Sequence, residues 1–585
     1  MSKTATGPTV EWTAGAAKGS MPETQTAEID KAISELQAGK DRWTQVSIAD
    51  RIRLCERLLR DYQEVGEASV EAACRAKGID PGEARAGEEW LGGPLCIHRN
   101  LRLLARTLSE THAMGAPRIP GPVTTRKNGQ VVAQVFPDGI FDRLLFSGIS
   151  AEVWMEPGVT AEKIADHQAA IYKRGAARKG KVALVLGAGN VASIGPMDVL
   201  YKLFAEDQVC ILKMNPVNEY LGPFVERGFR ALVEGGYLRV VYGGASVGKY
   251  LCSHAGVDEI HITGSDKTHD AIVWGTGPEA QERKAKNEPL LAKRITSELG
   301  NVSPVVLVPG DWSQDEIEFH AWNVASQVQN NGSFNCNAAK VVVLQAGWSQ
   351  RQAFVDALKA RLRGMPARKA YYPGAEQRYE TFLKAHPEAL ALGPRMPGSV
   401  PWTLIPGVNP DAKDDICFKS EAFCGILAET GLDAKDPVEF LDKAVTFLND
   451  TLWGTLNCCI VIHPKTLALP AVAERFDRAI EELRYGTIAV NHWPALGYGL
   501  VSTTWGAFPG HTLQDIQSGR GFVHNAFLFD RPQKSVIRGP FTISPTPPWF
   551  HGHKKAHEIG PKLARFEADP GLFKLPGVIW SAIRG

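Results

Sequence analysis

Between residues 182 and 362 the chain alternates short apolar runs with helical stretches, and few folds accept that alternation. Val182–Leu186 is wholly apolar and runs into Gly187-Ala188-Gly189. Helical sequence follows around Met197–Phe204, then the strand Val209–Leu212, a helix over Phe224–Val233, and strands at Arg239–Tyr242 and Ile260–Ile262. A second block begins with the strand Pro304–Val308 and continues with the helix Gln314–Gln329, the strand Val341–Leu344 and the helix Ser349–Leu362. Such runs are apolar at every position because both faces of a parallel sheet are covered by helices. The spacing therefore predicts an α/β protein with two units joined near residue 295, and 585 residues exceed what one hydrophobic core usually organises.

The flanks are less regular. The first 25 or so residues, rich in Thr, Gly, Pro and Ala, read as a loose arm, and helical spacing governs Thr26 to about Ala76. Gln130–Phe136 and Ala151–Met155 read as strands with Pro137, Asp138 and Gly139 turning between them. The N-terminus lacks a basic region followed by an apolar run, and no stretch reaches the ~18 to 20 apolar residues that span a bilayer, so a cytoplasmic protein is expected.

Charge and cysteine spacing exclude some functions. Lys+Arg at 65 against Asp+Glu at 64 leaves no basic excess for nucleic acid. The ten cysteines contain no CxxC pair, so neither a metal site nor a disulfide framework is expected.

Gly187-Ala188-Gly189-Asn190-Val191-Ala192 fits a dinucleotide-binding turn after a strand, but the next strand ends in the cation Lys213 rather than the acid such a turn wants. Taken alone, the glycines make a tight turn and no more. Three further segments carry more weight: Glu298-Leu299-Gly300 before a strand, Gly332-x-x-x-Cys336-x-Ala338 between a helix and a strand, and Glu421-x-Phe423 beyond them. With these elements, and with Thr263-Gly264-Ser265 and the Gly243–Gly248 loop in the same order, residues 30 to 530 resemble the aldehyde dehydrogenase superfamily.

The resemblance implies an α/β, two-lobed fold: a Rossmann-like cofactor domain (1–125 and 178–296), an α/β catalytic domain (297–510) and a β bridging or oligomerisation element (126–177 and 511–540), followed by an extension at 541–585. It implies oxidation of an aldehyde with NAD or NADP. Cys336 would be the nucleophile, Glu298 the base, Asn190 an oxyanion donor and Lys202 a proton relay. Lys213, Gly243, Gly248, Gly264, Ser265, Leu299, Glu421 and Phe423 would meet the cofactor. A thiolate attacks an aldehyde carbon, so the cysteine needs access and an environment that favours ionisation; Cys336 lies among small and amide residues, whereas the other nine lie mostly in apolar runs.

The chain also departs from the pattern. The stretch after Asn190 reads about three residues longer, Lys213 is followed by Met-Asn-Pro216 with Glu219 as the nearest acid, and Asn301 replaces a second glycine. The family's closing strand, expected between 520 and 540, would pair with a neighbouring subunit's sheet in a homodimer or homotetramer. Trp322, Phe334 and Trp493 are either an aromatic tunnel or core. The apolar tail Pro570–Arg584 either docks on protein, burying Phe573, Ile579 and Trp580, or lies in a membrane interface. Two rival functions remain at this stage: a coenzyme A-acylating dehydrogenase, which generally lacks the base that Glu298 supplies, and a non-catalytic relative, which would have no need of Cys336, Glu298 and Asn190 together.

Overall fold

The computed structural model describes residues 21–173 and 179–585, so most of the expected N-terminal arm lies outside the described residues. The chain forms two compact units. Of the described residues, one contains 302–453 and 462–483; the other contains 21–173, 179–301, 454–461 and 484–585. The boundary falls after Asn301, and residues 454–461 and 484–510, grouped with Cys336 on sequence, pack instead with the Gly187–Asn190 unit.

In the larger unit a mostly parallel sheet runs in the order Gly519–Arg520, Arg294–Leu299, Glu259–Gly264, Val182–Leu186, Val209–Lys213, Leu238–Val241. Val182–Leu186 comes first in sequence but sits inside the sheet, paired in parallel with Val209–Lys213 on one side and Glu259–Gly264 on the other. Strand order therefore reverses there, and the carboxyl ends of strands at such a switch point are where α/β sheets bind ligands. The helix Ile48–Lys77 flanks this unit. Ser47 caps its start by accepting from the Asp50 N–H, and Gly78, in the left-handed region at φ 68°, ends it.

Three local expectations are corrected. The turn at 137–139 leads into a helix, Ile140–Leu145, because Gly139 turns the chain at φ 100° and Asp142 accepts from both the Asp138 N–H and Arg99. The single helix expected at 224–233 breaks into Gly222–Gly228 and Arg230–Glu234. Gly228 lies against the Tyr62 ring, and Phe229 leaves helical geometry to bury its side chain completely.

The third correction concerns the closing strand. It lies at Pro532–Arg538, inside the expected interval, but it pairs antiparallel with Ser150–Met155 and parallel with Thr487–Val490 of its own chain. Both of its edges are thus occupied, and it offers no ladder to a second subunit. The apolar cluster beneath it includes Val135, Val153, Phe527 and Ile537.

The tail folds as Ala556–Ala568 and a short helix, Leu575–Ile583, with Pro576 in its first turn, where a missing N–H costs nothing. Leu575 and Val578 are buried, but Phe573, Ile579 and Trp580 are exposed, contrary to the docking expectation. Inward-facing positions recur at three-residue spacing, so the outward set cannot also reach the protein.

The smaller unit carries strands in the order Pro304–Leu307, Val341–Gln345, Ile426–Leu432, Thr403–Ile405, Leu390–Ala391, parallel except at the last pair. A capping box at Ser313 and Glu316 starts its helix Gln314–Gln329.

Candidate functional site

In the larger unit the carboxyl ends of the parallel strands gather the residues singled out on sequence. Asn190 follows Val182–Leu186, Lys213 ends the next strand, and Gly264 ends another. Leu299 ends the strand that carries Glu298, with Thr263 opposite Glu298 and Gly264 opposite Leu299. The turn at 187–189 is closed over by the segment after Lys213. Asn218 Nδ2 donates to the Ala188 carbonyl at 2.9 Å, and a Cβ on Gly189 would stand 2.7 Å from Asn215 Oδ1. This packing accounts for Gly189 without invoking a ligand.

Two helices begin at the same edge. Gly243, at φ 137°, turns the chain into Ala245–Ser253, whose first turn holds no acid. A Cβ on Gly244 or Gly248 would meet no atom within 4 Å. Open space at Gly244 and Gly248 before a helix N-terminus suits a phosphate-bearing ligand, although the Glu23 side chain packs against Gly243. Ser265 caps Asp266–Trp274, its Oγ accepting from the Thr268 N–H at 3.1 Å, which is a structural role in itself. Lys213 is mostly buried, and burial pulls its ammonium down to about 8 against the opposing pull of Glu219 and Glu23. Glu219 is itself buried and accepts from the Met21 N–H, so an acid does stand near Lys213 despite the Met-Asn-Pro216 departure.

Glu298 is buried in the strand Arg294–Leu299, and its charge acts on the Tyr498 phenol. Lys202 is buried too, paired with Glu206 and donating to Thr296 Oγ1 at 3.1 Å, two residues before Glu298 on the same strand face. Around Thr296 lies a buried polar chain that sequence reasoning missed. His261 Nδ1 lies 2.9 Å from Thr296 Oγ1, and Thr263 Oγ1 donates to Asp198 Oδ2 at 2.9 Å. Burial lowers the nearby His524 to about 4. These residues are scattered among apolar ones at strand spacing, so only the folded sheet reveals them as one network.

In the smaller unit, the loops before Val341–Gln345 and Ile426–Leu432 lie at the amino ends of two adjacent parallel strands. The first carries Cys336, the second Glu421 and Phe423. Asn331, Gly332 and Ser333 are consecutive left-handed residues, an uncommon backbone that persists where surroundings over-determine it. Ser303 Oγ donates to the Cys336 carbonyl at 2.8 Å, and Tyr371 OH donates to Asn331 Oδ1 at 2.9 Å. Cys336 alone among the ten free cysteines is not buried. The others are inert by comparison: burial raises Cys96 to about 12 and Cys424 to about 11.

Lys340 was also missed. Its buried ammonium donates to the Asn335 and Ala338 carbonyls at 3.0 and 3.1 Å, on either side of Cys336. Burial lowers its pKa, while Glu421 and Cys336 pull the other way. A lysine four residues past a cysteine, at the mouth of an apolar strand, was the available signal. Phe334 and Phe423 have ring centroids 5.9 Å apart and share an aromatic group with Tyr371 and Tyr372. Arg378 clamps the second loop, donating to the Ala422 and Phe423 carbonyls at 3.0 and 3.1 Å.

A family model described as the aldehyde dehydrogenase family matches residues 210–376, a stretch that holds Lys213, Glu298 and Cys336. The chain is 24% identical over 488 residues to 4-trimethylaminobutyraldehyde dehydrogenase A of Danio rerio, covering 80% of this chain and 78% of that protein. Its fold is shared with glyceraldehyde-3-phosphate dehydrogenase GapN of Methanocaldococcus jannaschii, solved with NADP, at a TM-score of 0.58 and 13% identity over 89% of this chain and 96% of that one. Aldehyde dehydrogenase C of Pseudomonas syringae, solved with NAD+ and octanal, gives a TM-score of 0.58 at 15% identity over 91% and 94% of the two chains.

Proposed function

We propose that this chain, a member of the aldehyde dehydrogenase superfamily, oxidises an aldehyde to a carboxylate with NAD or NADP as hydride acceptor. The observation that carries this is Cys336: partly exposed, unlike the other nine cysteines, in a strained loop held by a buried cation.

The Cys336 thiolate forms a C–S bond to the aldehyde carbon, and the carbonyl oxygen becomes an oxyanion. The Asn190 amide and the Cys336 N–H are the donors assigned to that oxyanion. The nicotinamide, when bound, supplies the carbon that accepts the hydride. Loss of hydride leaves a thioester on Cys336. Glu298 takes a proton from water, whose oxygen then displaces the thiolate and releases the carboxylate. Lys202, joined through Thr296 to the strand of Glu298, is assigned the onward proton path. The residues that would hold the cofactor are Lys213, Gly243, Gly248, Gly264, Ser265 and Leu299, with Glu421 and Phe423 on the nicotinamide ribose and ring.

Glu298 favours water over coenzyme A as the group that opens the thioester. All ten cysteines are free, which suits the reducing cytoplasm, and among the described residues no helix is long and apolar enough to cross a membrane. A homodimer or homotetramer remains the assembly we expect, built through surfaces other than Pro532–Arg538. Purified protein incubated with NAD, NADP and a panel of aldehydes, with and without coenzyme A, tests the function. Acid production that needs no coenzyme A and is abolished by Cys336→Ser is expected. A serine hydroxyl is not ionised at neutral pH, so activity retained by that variant would overturn the assignment.

A further inference from the structure

Of the twelve large apolar side chains exposed among the described residues, seven lie on two segments packed against one shared cluster: Ile140 and Leu144 on one, and Leu572, Phe573, Ile579, Trp580 and Ile583 on the other. The two groups are neighbours because Leu145, from the helix of Ile140 and Leu144, packs on the same cluster of Ile559, Leu563 and Val578 as Ala582 does. Phe573 is fully exposed, and Leu572, Trp580 and Ile583 are 67%, 62% and 62% exposed. Apolar side chains scattered singly on a surface need no explanation, but a contiguous set marks an interaction site.

The patch is preformed. Glu567 lies buried between Arg99, 2.8 Å away, and Arg102, and His98 Nδ1 lies 2.9 Å from the Ala564 carbonyl. Lys562 Nζ donates to Ser581 Oγ, tying the last helix to the one beneath it. Leu575 and Val578 face inward, so the outer face is apolar by sequence and not by accident of unfolding.

Charge selects what covers it. Residues 541–585 hold six Lys and Arg against three Asp and Glu, in a chain whose whole net charge is +1. All three acids are ion-paired: Glu558 with Lys555, Glu567 with Arg99 and Arg102, and Asp569 with Lys574. From Pro570 onward there is no acid at all; Lys574 is held by Asp569, and Arg584 stands over the Trp580 ring, as Arg143 stands beside Ile140 and Leu144 on the other helix. A second copy meeting this face would oppose cation to cation. An anionic lipid surface meets the same residues with complementary charge, while Trp580 and Phe573 enter the headgroup boundary.

We propose that the helices Ile140–Leu145 and Leu575–Ile583 form an interfacial patch that seats the protein on an anionic bilayer. At nine residues the terminal helix lies on the membrane and does not cross it.

Sedimentation of the full-length protein with vesicles of phosphatidylcholine and phosphatidylserine (about 7:3) tests this. The protein is expected to pellet with these vesicles, to do so at least about tenfold less with phosphatidylcholine alone, and to be released by about 0.5 M salt. Phe573→Ser with Trp580→Ser, both at exposed positions, should weaken binding by at least about tenfold without altering dehydrogenase activity, whereas Met396→Ser, exposed elsewhere, should change nothing. Failure to bind at either composition would overturn the proposal, as would binding that the double variant retains. A full-length oligomer that the double variant converts to monomer, with no vesicle binding, would show that a second copy covers the patch.

Discussion

The ammonium of Lys77, at the last position of its helix, donates to the main-chain carbonyl of Asn190 at 3.0 Å and to Glu89 at 2.8 Å. A buried ion pair thus holds the loop that carries the assigned oxyanion donor. Removing one member of such a pair strands the other charge, at about 3–5 kcal/mol. Lys77→Met should therefore lower stability strongly in denaturant melts. Pairing it with Glu89→Gln should restore most of that stability while kcat stays low, because Asn190 remains untethered. Full activity in the double variant would remove Lys77 from the site.

Lys340 touches the Cys336 loop through both geometry and charge, so it is expected to act on the assigned nucleophile. Lys340→Met removes the ammonium donor to the Ala338 carbonyl and leaves the Asn335 carbonyl only the Ala338 N–H, a loss of about 1–3 kcal/mol, and removes the cation that favours a thiolate at Cys336. The pH profile of Cys336 alkylation by iodoacetamide should move upward. A profile that stays in place while stability falls would leave Lys340 a purely structural residue.

Glu298→Gln separates the two half-reactions. Hydride transfer precedes the attack of water, so the variant should give a burst of NADH or NADPH near one per site, followed by a slow phase. Loss of the burst as well would mean that Glu298 acts earlier, on Cys336.

With Lys213 assigned to the cofactor, the choice between NAD and NADP is expected to depend on pH. Its ammonium is held down to about 8 by burial, so it is charged below that pH and neutral above it. A 2′-phosphate gains a charge-assisted contact from the charged form alone. Between pH 7 and 9 the KM for NADP should rise by about tenfold, while that for NAD changes little. Glu219→Gln removes a neighbour that favours the ammonium, so the rise should begin at lower pH. Parallel KM profiles for the two cofactors would place the 2′-position elsewhere.

The apolar runs Val182–Leu186, Val209–Lys213 and Val341–Gln345 were legible in sequence because a strand covered on both faces has no polar position to hide it. Cys336, Glu298 and Lys213 could be singled out from sequence because their motifs are contiguous. What stayed hidden joins residues distant in the chain. Lys77 meets Asn190 across 113 positions, Lys202 meets Thr296 across 94, and Phe334 meets Phe423 through side chains alone. Periodicity records which face of an element is apolar, not which partner that face will find. The same limit explains the closing strand: the resemblance implied its place within 520 to 540, but not which strands would take its two edges. Only the tertiary structure put Ser150–Met155 and Thr487–Val490 on its two sides. The tail shows the division most plainly. Sequence supplied its apolar residues and flanking cations, whereas packing on Ile559 and Leu563 decided which of them turn outward.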